Sequence, residues 1–417
     1  MKIVAPKGTR DILPSEIHKW HYIEKIIRKV MNLYGFYEIR TPIFEYTELF
    51  QRGIGETTDI VNKEMYTFTD KKGRSITLRP ENTASVVRAY LEHKLYGQEG
   101  IGKFYYIGPM FRYERPQAGR QRQFYQYGME ILGTKDPKAD VEIIKATEEI
   151  YRRLGLTNYK ILINSVGCPK CRPKYEEQLK LYLKDKYDEL CDDCKVRYHK
   201  NPLRILDCKR EGCRKATENA PKIIDYLCQE CKEHFNKVLE YLDTLGIRYE
   251  INHRLVRGLD YYTKTAFEVI AGGLGAQDAV GGGGRYDGLA VEIGGKEIPG
   301  VGFAGGMERL ILALTSAGIE FPREDIPTLF VVFRKEVEKE AFSLIFRLRE
   351  KNIKTDYALG KNGIKTQLKE ANKRGAKYTI ILGEDEIQKG ILTLKDMEKG
   401  ESREIKEEDL YKLFEKE

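Results

Sequence analysis

The 417 residues predict an α+β protein. An antiparallel sheet flanked by helices is interrupted by a mostly helical, cysteine-rich insertion and followed by a C-terminal α/β domain. Three observations carry this. Phe111, Tyr113, Phe124, Tyr125 and Tyr127 are strand formers on either side of a basic loop holding Pro116, Gly119, Arg120 and Arg122, the layout of two antiparallel strands and a long hairpin loop. All eight cysteines, Cys168/Cys171, Cys191/Cys194, Cys208/Cys213 and Cys228/Cys231, fall in one lysine-rich stretch. After a charged, proline-punctuated linker at 320–327, strand-length apolar runs alternate with helix-length amphipathic ones, which predicts a mainly parallel sheet.

The elements follow in order. Residues 14–33 predict a helix, with Ile17, Trp20, Ile23, Ile27, Val30 and Met31 on one face, Ser15 as its cap and Gly35 past its end. A strand beginning near Pro42 is expected over 40–46, and a hairpin pairs 65–68 with 75–78 around Lys71-Lys72-Gly73. Residues 82–95 predict a second helix. Strand signals return from 249, at Ile251, Leu255 and 266–270. The glycine run at 281–288 fits neither phosphate-loop fingerprint and predicts a close backbone approach to a ligand or a tight turn. Residues 300–312 read as a strand, a glycine turn and a helix. Beyond the linker come strand 329–333, helix 336–351, strand 353–357, helix 364–374, and strands 378–382 and 390–394. The expected domains are 1–166 and 238–322 as two parts of one domain, 167–237 as the insertion, and 326–417 as the last domain.

This length suits two or three domains. At 41% hydrophobic residues the chain can build real cores, yet no apolar run is long enough to cross a bilayer. The opening segment, residues 1–8, has no signal-peptide core, so a cytoplasmic protein without a membrane partner is expected. A net charge of +8 with 33% charged residues fits a polyanionic partner without requiring one.

Candidate chemistry centres on the hairpin. Arg112 before the loop and Gln126 and Glu130 after it share one sheet face by even spacing. An arginine fork donates in parallel to two phosphate oxygens. By periodicity alone a solvated basic hairpin fits as well. Glu81 and Thr83, at a strand-to-helix junction, suit a ligand ammonium group or, equally, a helix cap. Tyr261 and Tyr262 beside Arg257 suit core packing or recognition. Arg309, in a first helical turn, suits a phosphate or plain solvent. Three of the cysteine pairs have C-x-x-C spacing. Zinc, reduced structural thiols and disulfides of the kind hyperthermophiles keep all remain open for them.

The run from Phe111 to Gln126 resembles motif 2 of class II aminoacyl-tRNA synthetases, in the form found in histidyl-tRNA synthetases. Pro6–Asp11 resembles that family's N-terminal signature, 41–53 its dimer-forming motif 1, 257–268 its histidine-specific motif (Arg257-Gly258-Leu259-Asp260-Tyr261-Tyr262), and 302–310 motif 3. The resemblance implies a histidine–tRNA ligase whose partners are L-histidine, ATP with Mg2+ and tRNA(His), acting as a homodimer. It implies that Glu81, Thr83 and Gln126 hold the amino acid's α-amino and carboxylate ends, and that Glu130 and Tyr262, with Tyr261 nearby, bond the imidazole nitrogens. Arg112 and Arg309 would clamp the ATP phosphates, with Arg257 beside the α-phosphate. Arg120 and Arg122 would meet the tRNA acceptor end. No protein-bound catalytic metal is implied. Departures from the family pattern occur at Gln121, Tyr125, Asn82, Thr263-Lys264 and the 360–365 loop, and none removes an arginine of the clamp. The alternative is a non-catalytic regulatory paralogue serving histidine biosynthesis. Such proteins typically lack the last domain and lose clamp arginines, whereas this chain has both.

Overall fold

A computed structural model describes residues 3–55, 58–97, 100–272, 278–323, 328–361 and 363–414. Residues 324–327 of the linker and Asn362 of the 360–365 loop lie outside the described residues. The chain divides into two units, Met1–Phe321 and Pro322–Glu417.

In the first unit, helix α1 (Ile17–Leu33) leads to strands β1 (Tyr37–Glu38) and β2 (Phe44–Tyr46), helix α2 (Thr47–Ile54), strands β3 (Tyr66–Thr69) and β4 (Ser75–Leu78), and helix α3 (Thr83–Glu92). The long hairpin β5 (Gly102–Phe111) and β6 (Gln123–Leu132) follows, then α4 (Pro137–Arg153) and β7 (Tyr159–Ser165). The insertion supplies α5 (Arg172–Lys184), α6 (Asp192–Lys200), α7 (Glu211–Ala216) and α8 (Gln229–Thr244). The unit closes with β8 (Glu250–Ile251), β9 (Thr263–Ala271), β10 (Ala279–Arg285), α9 (Leu289–Glu292), β11 (Gly300–Gly306) and α10 (Met307–Ser316).

One eight-stranded sheet, ordered β1-β5-β6-β11-β10-β9-β7-β8, organises this unit. It is antiparallel except at its two edge pairs, β1 with β5 and β7 with β8. Strand alternation separates its two faces. Tyr127, Met129 and Ile131 of β6 join Trp20, Ile23 and Ile27 of α1 and Ile143 and Ile144 of α4 in the main core. The opposite face packs against α3 and α9 through Val86, Val87, Tyr90 and Leu289. That face also carries Tyr261, Tyr262 and Tyr286. A separate antiparallel ladder, β2-β4-β3, holds the expected short hairpin.

Several expectations change. The α1 N-cap is Glu16, with no side-chain cap bond, rather than Ser15. The strand expected over 40–46 shrinks to Phe44–Tyr46. The four consecutive glycines make no turn: residues 279–285 form β10, an interior strand between β9 and β11, and the run turns only at Asp287-Gly288. Helix α8 runs without a break through residues 237 and 238. Its Phe235, Val238 and Leu242 pack into the main core, so one end of the insertion is a continuous helix.

The second unit contains β12 (Leu329–Phe333), α11 (Glu338–Glu350), β13 (Thr355–Tyr357), α12 (Ile364–Lys373), β14 (Tyr378–Leu382), α13 (Glu384–Lys389), β15 (Leu392–Asp396), β16 (Ser402–Ile405) and α14 (Glu407–Phe414). Its sheet order is β13-β12-β14-β15-β16. Only β13, β12 and β14 run parallel, while β15 and β16 add on antiparallel, which corrects the expectation of a mainly parallel sheet. The six-residue α13 is too short to make a parallel crossover, so the chain returns antiparallel.

Candidate active site

The face opposite the main core opens into a cavity of about 220 Å³, lined by Glu81, Thr83, Arg112, Arg120, Gln126, Arg257, Tyr261, Tyr262 and Arg309. These residues come from the β4–α3 junction, the β5–β6 hairpin, the segment before β9, and α10. The even-spaced set of β6 behaves as its period requires: Gln126 lines the cavity, and Glu130 lies beneath it, 1% exposed.

At one end of the cavity, both readings of Glu81 coexist. Its carboxylate accepts the backbone amides of Thr83 (2.6 Å) and Ala84 (3.0 Å), capping α3, and it also faces the cavity. Thr83 Oγ1 donates to Glu130 at 2.8 Å, Tyr106 donates at 3.4 Å, and the Tyr286 hydroxyl donates to the other carboxylate oxygen. Burial pushes Glu130 up to about 8, against these hydrogen bonds. Burial likewise raises Glu81, opposed by the Ala84 and Thr83 amides. Two buried carboxyls this close favour a ligand that brings N–H donors or positive charge. Gln126 Oε1 is buried with no hydrogen-bond partner, an acceptor facing the same space.

At the other end stand the arginines. Arg112 Nε donates to the Pro80 carbonyl at 2.8 Å, and its guanidinium lies 5.3 Å from the centre of the Phe124 ring. Arg309 Nε donates to the Ala279 carbonyl. Arg257 pairs with Glu268 at 3.1 Å and lies over the Tyr262 ring, while its Nε is buried without a partner. The glycines of β10 and β11 make room for these groups. A Cβ on Gly282 would stand 2.3 Å from Arg257 Nη1, and one on Gly302 would stand 1.6 Å from Glu130 Oε2. The glycine run thus approaches protein side chains closely, and its Gly281 and Gly282 also line the cavity.

The two loop arginines part company. Arg120 pairs with Glu114 at 3.0 Å and lines the cavity. Arg122 turns away: its guanidinium lies 3.7 Å from the centre of the Tyr113 ring, its side chain packs on Gly8, and its amide donates to the Gly8 carbonyl.

Sequence reasoning missed Tyr286, Tyr106, Glu268 and Glu308. Tyr286 stands within the glycine run and Glu268 ends the histidine-motif segment, so both lay in stretches already singled out. Glu308 accepts the Tyr125 amide with both oxygens at 3.1 Å, and burial raises it to about 7. The eight cysteines stay outside this cavity.

The description "Histidyl-tRNA synthetase" belongs to the family model matching residues 8–310, and "Anticodon binding domain" to the one matching 327–417. A histidine–tRNA ligase of Halothermothrix orenii is 58% identical over 406 residues, 97% of each chain. One of Caldanaerobacter subterraneus subsp. tengcongensis is 51% identical over 98% of this chain and 99% of its own. The crystal structure of apo S. aureus histidyl-tRNA synthetase superposes with a TM-score of 0.84 at 42% identity, covering 99% of this chain and 100% of that one. The fold that carries the carboxyl pocket and the arginine cluster on one sheet face is the one these matches share: the chain belongs to the histidyl-tRNA synthetase family.

Proposed function

We propose that this chain is a histidine–tRNA ligase, and that the cavity joins L-histidine to ATP before the histidyl group passes to tRNA(His). The observation that carries the reading is the polarity of the cavity, with buried acceptors at one end and three arginines at the other. Glu81, Thr83 and Gln126 receive the ammonium and carboxylate ends of histidine. Glu130 and Tyr262 take the two imidazole nitrogens, with Tyr261 against the ring. An acceptor and a donor placed apart suit a ring whose nitrogens differ, and they reject side chains that would leave them unpaired.

Histidine's carboxylate attacks the α-phosphorus in line, pyrophosphate leaves, and the adenylate forms. The nucleophile is already ionised, so no general base is needed. Positioning and stabilisation of phosphoryl charge do the chemistry. Arg112 and Arg309 hold the phosphates, and Arg257 stabilises charge at the α-phosphoryl oxygens. Mg2+ carried by ATP neutralises further phosphate charge. Glu268 and Glu114, both facing the cavity, are hard oxygen donors of the kind it prefers. The terminal ribose hydroxyl of tRNA then attacks the carbonyl and AMP leaves. Arg120 meets the acceptor end at the cavity and Arg122 outside it, from its seat on Tyr113 and Gly8, and the Pro322–Glu417 unit binds the anticodon.

The homodimer reading draws support from β2 and β3. Phe44, Tyr46 and Phe68 share one face by register and are about half exposed, an apolar surface of the kind that marks an interface.

Histidine-dependent ATP–pyrophosphate exchange tests the activation step. Exchange absent from the folded protein refutes it and favours the regulatory paralogue, against which the retention of Arg112, Arg257 and Arg309 now weighs. Aminoacylation at limiting tRNA tests the loop: Arg120→Ala and Arg122→Ala should lower it while leaving exchange measurable.

A further inference from the structure

Two clusters of four cysteine sulfurs lie in the insertion. Cys168, Cys171, Cys228 and Cys231 form one, and Cys191, Cys194, Cys208 and Cys213 the other. Within each, all four sulfurs lie within 4.8 Å of one another. Tetrahedral zinc holds thiolates at about 2.3 Å, which sets a sulfur–sulfur edge of about 3.8 Å. The separations are 3.7 Å for Cys168–Cys171, 3.8 Å for Cys168–Cys228, 3.8 Å for Cys171–Cys231 and 3.9 Å for Cys191–Cys208. A disulfide would draw one pair to about 2.05 Å at the others' expense. Here three edges of the first cluster are nearly equal, so no pair is singled out.

The surroundings fit ligation. Cys171 and Cys228 are the N-caps of α5 and α8, and Cys191 is the N-cap of α6. Cys231 and Cys194 stand one turn inside α8 and α6, so each Cys-x-x-Cys pair wraps the start of a helix. The Cys168 amide donates to Cys171 Sγ and the Cys191 amide to Cys213 Sγ, both at 3.2 Å. Such outer bonds orient and stabilise metal-bound thiolates. Cys171, Cys194, Cys213 and Cys231 are buried, which fits a closed structural site with no open position for water.

We propose that the insertion binds two zinc ions, each held by the four thiolates of one cluster, every thiol releasing its proton to solvent as it ligates. The sites are nested in sequence: the first joins the start of the insertion to its end, and the second lies wholly between them. Short helices around a small core of Tyr175, Leu179, Leu183, Leu203 and Ile205 gain most from such staples. The first site also braces the cavity. Arg172, next to Cys171, donates to the Tyr262 carbonyl, and Glu230, next to Cys231, pairs with Lys264 at 2.8 Å. The Lys264 amide donates to the Gly167 carbonyl at 2.8 Å, and Lys264 itself has φ 51°, a left-handed conformation these partners hold in place.

Zinc content of the full chain, produced with added zinc and purified without chelator, tests the proposal independently of any activity. About two zinc ions per chain are expected, and about one in each of Cys194→Ser and Cys231→Ser. Co(II) exchanged into the protein should show the intense thiolate charge-transfer and visible bands of tetrahedral sulfur ligation. Should a serine variant fail to fold, the wild-type zinc content and cobalt spectrum decide. Less than about half a zinc per chain, with the thiols freely alkylated or the mass lowered by disulfide formation, overturns the proposal.

Discussion

Replacing Glu130 with glutamine separates burial from recognition. Its carboxyl is almost wholly enclosed and rises from 4.5 to about 8, chiefly by burial. Between those two values the folded protein keeps a proton that the unfolded chain has released. Stability of the ligand-free first unit should therefore fall as pH rises from 4.5 to about 8 and level off above. At about 1.4 kcal/mol for each pH unit between them, the full loss is roughly 5 kcal/mol. Relaxation and water entry, which raise the effective dielectric around the group, make this an upper bound. Glu130→Gln keeps the shape and stays neutral, so its stability should lack this fall. Any mismatch in the bonds from Thr83 and Tyr286 adds an offset that does not vary with pH. Urea unfolding followed by fluorescence reads the effect cleanly, because the single tryptophan, Trp20, is buried in the core of this unit. Saturating histidine should restore stability to the wild type above about pH 8, where its imidazole N–H meets an ionised carboxylate, and do little for the variant. Parallel wild-type and Glu130→Gln stability curves from about pH 5 to 9 would refute the reasoning.

Gly282→Ala should push the Arg257 guanidinium from its seat and lower pyrophosphate exchange by about 10²- to 10³-fold, read beside an unfolding curve that separates displacement from misfolding. Tyr286→Phe removes a hydroxyl donor to Glu130 and should raise the histidine KM several-fold, by about 1 kcal/mol. Asp140→Asn should cost about 1.5–3 kcal/mol in urea unfolding, because it removes a charged partner of the fully enclosed Arg285, which keeps Asp287 at 3.1 Å and the Thr134 carbonyl at 2.8 Å. Burial would raise the Asp140 carboxyl, but Arg285 and His234 hold it down to about 2. Its stabilisation is therefore complete above 3.8 and lost as pH falls through about 2, which an acid titration checks.

How far the sequence could be read depended on the range of the physics involved. The β5–β6 hairpin was legible because the period of two is local: once one face of β6 is apolar at Tyr127, Met129 and Ile131, Gln126 and Glu130 must share the other. Helix α4 carried an equally local signal that went unread, Asp136 as cap, accepting the Lys138 amide at 2.9 Å, and Pro137 at the first helical position. Ser15 failed as a cap because cap propensity is weak beside the packing of Trp20 and Ile23, which sets where α1 begins. What stayed hidden was long-range. Gly302 is a glycine because Glu130, on the neighbouring strand, fills the space of its side chain, and Gly282 because Arg257 does. Spacing paired the cysteines but could not say which pairs share a cluster, since that depends on α5 and α8 presenting their first turns to each other. The same long-range contacts tie the insertion to the cavity. Arg172 and Glu230, each adjacent to a cysteine of the first cluster, reach Tyr262 and Lys264, so a change at Arg172, 90 residues away in sequence, can move the Tyr262 ring that lines the cavity.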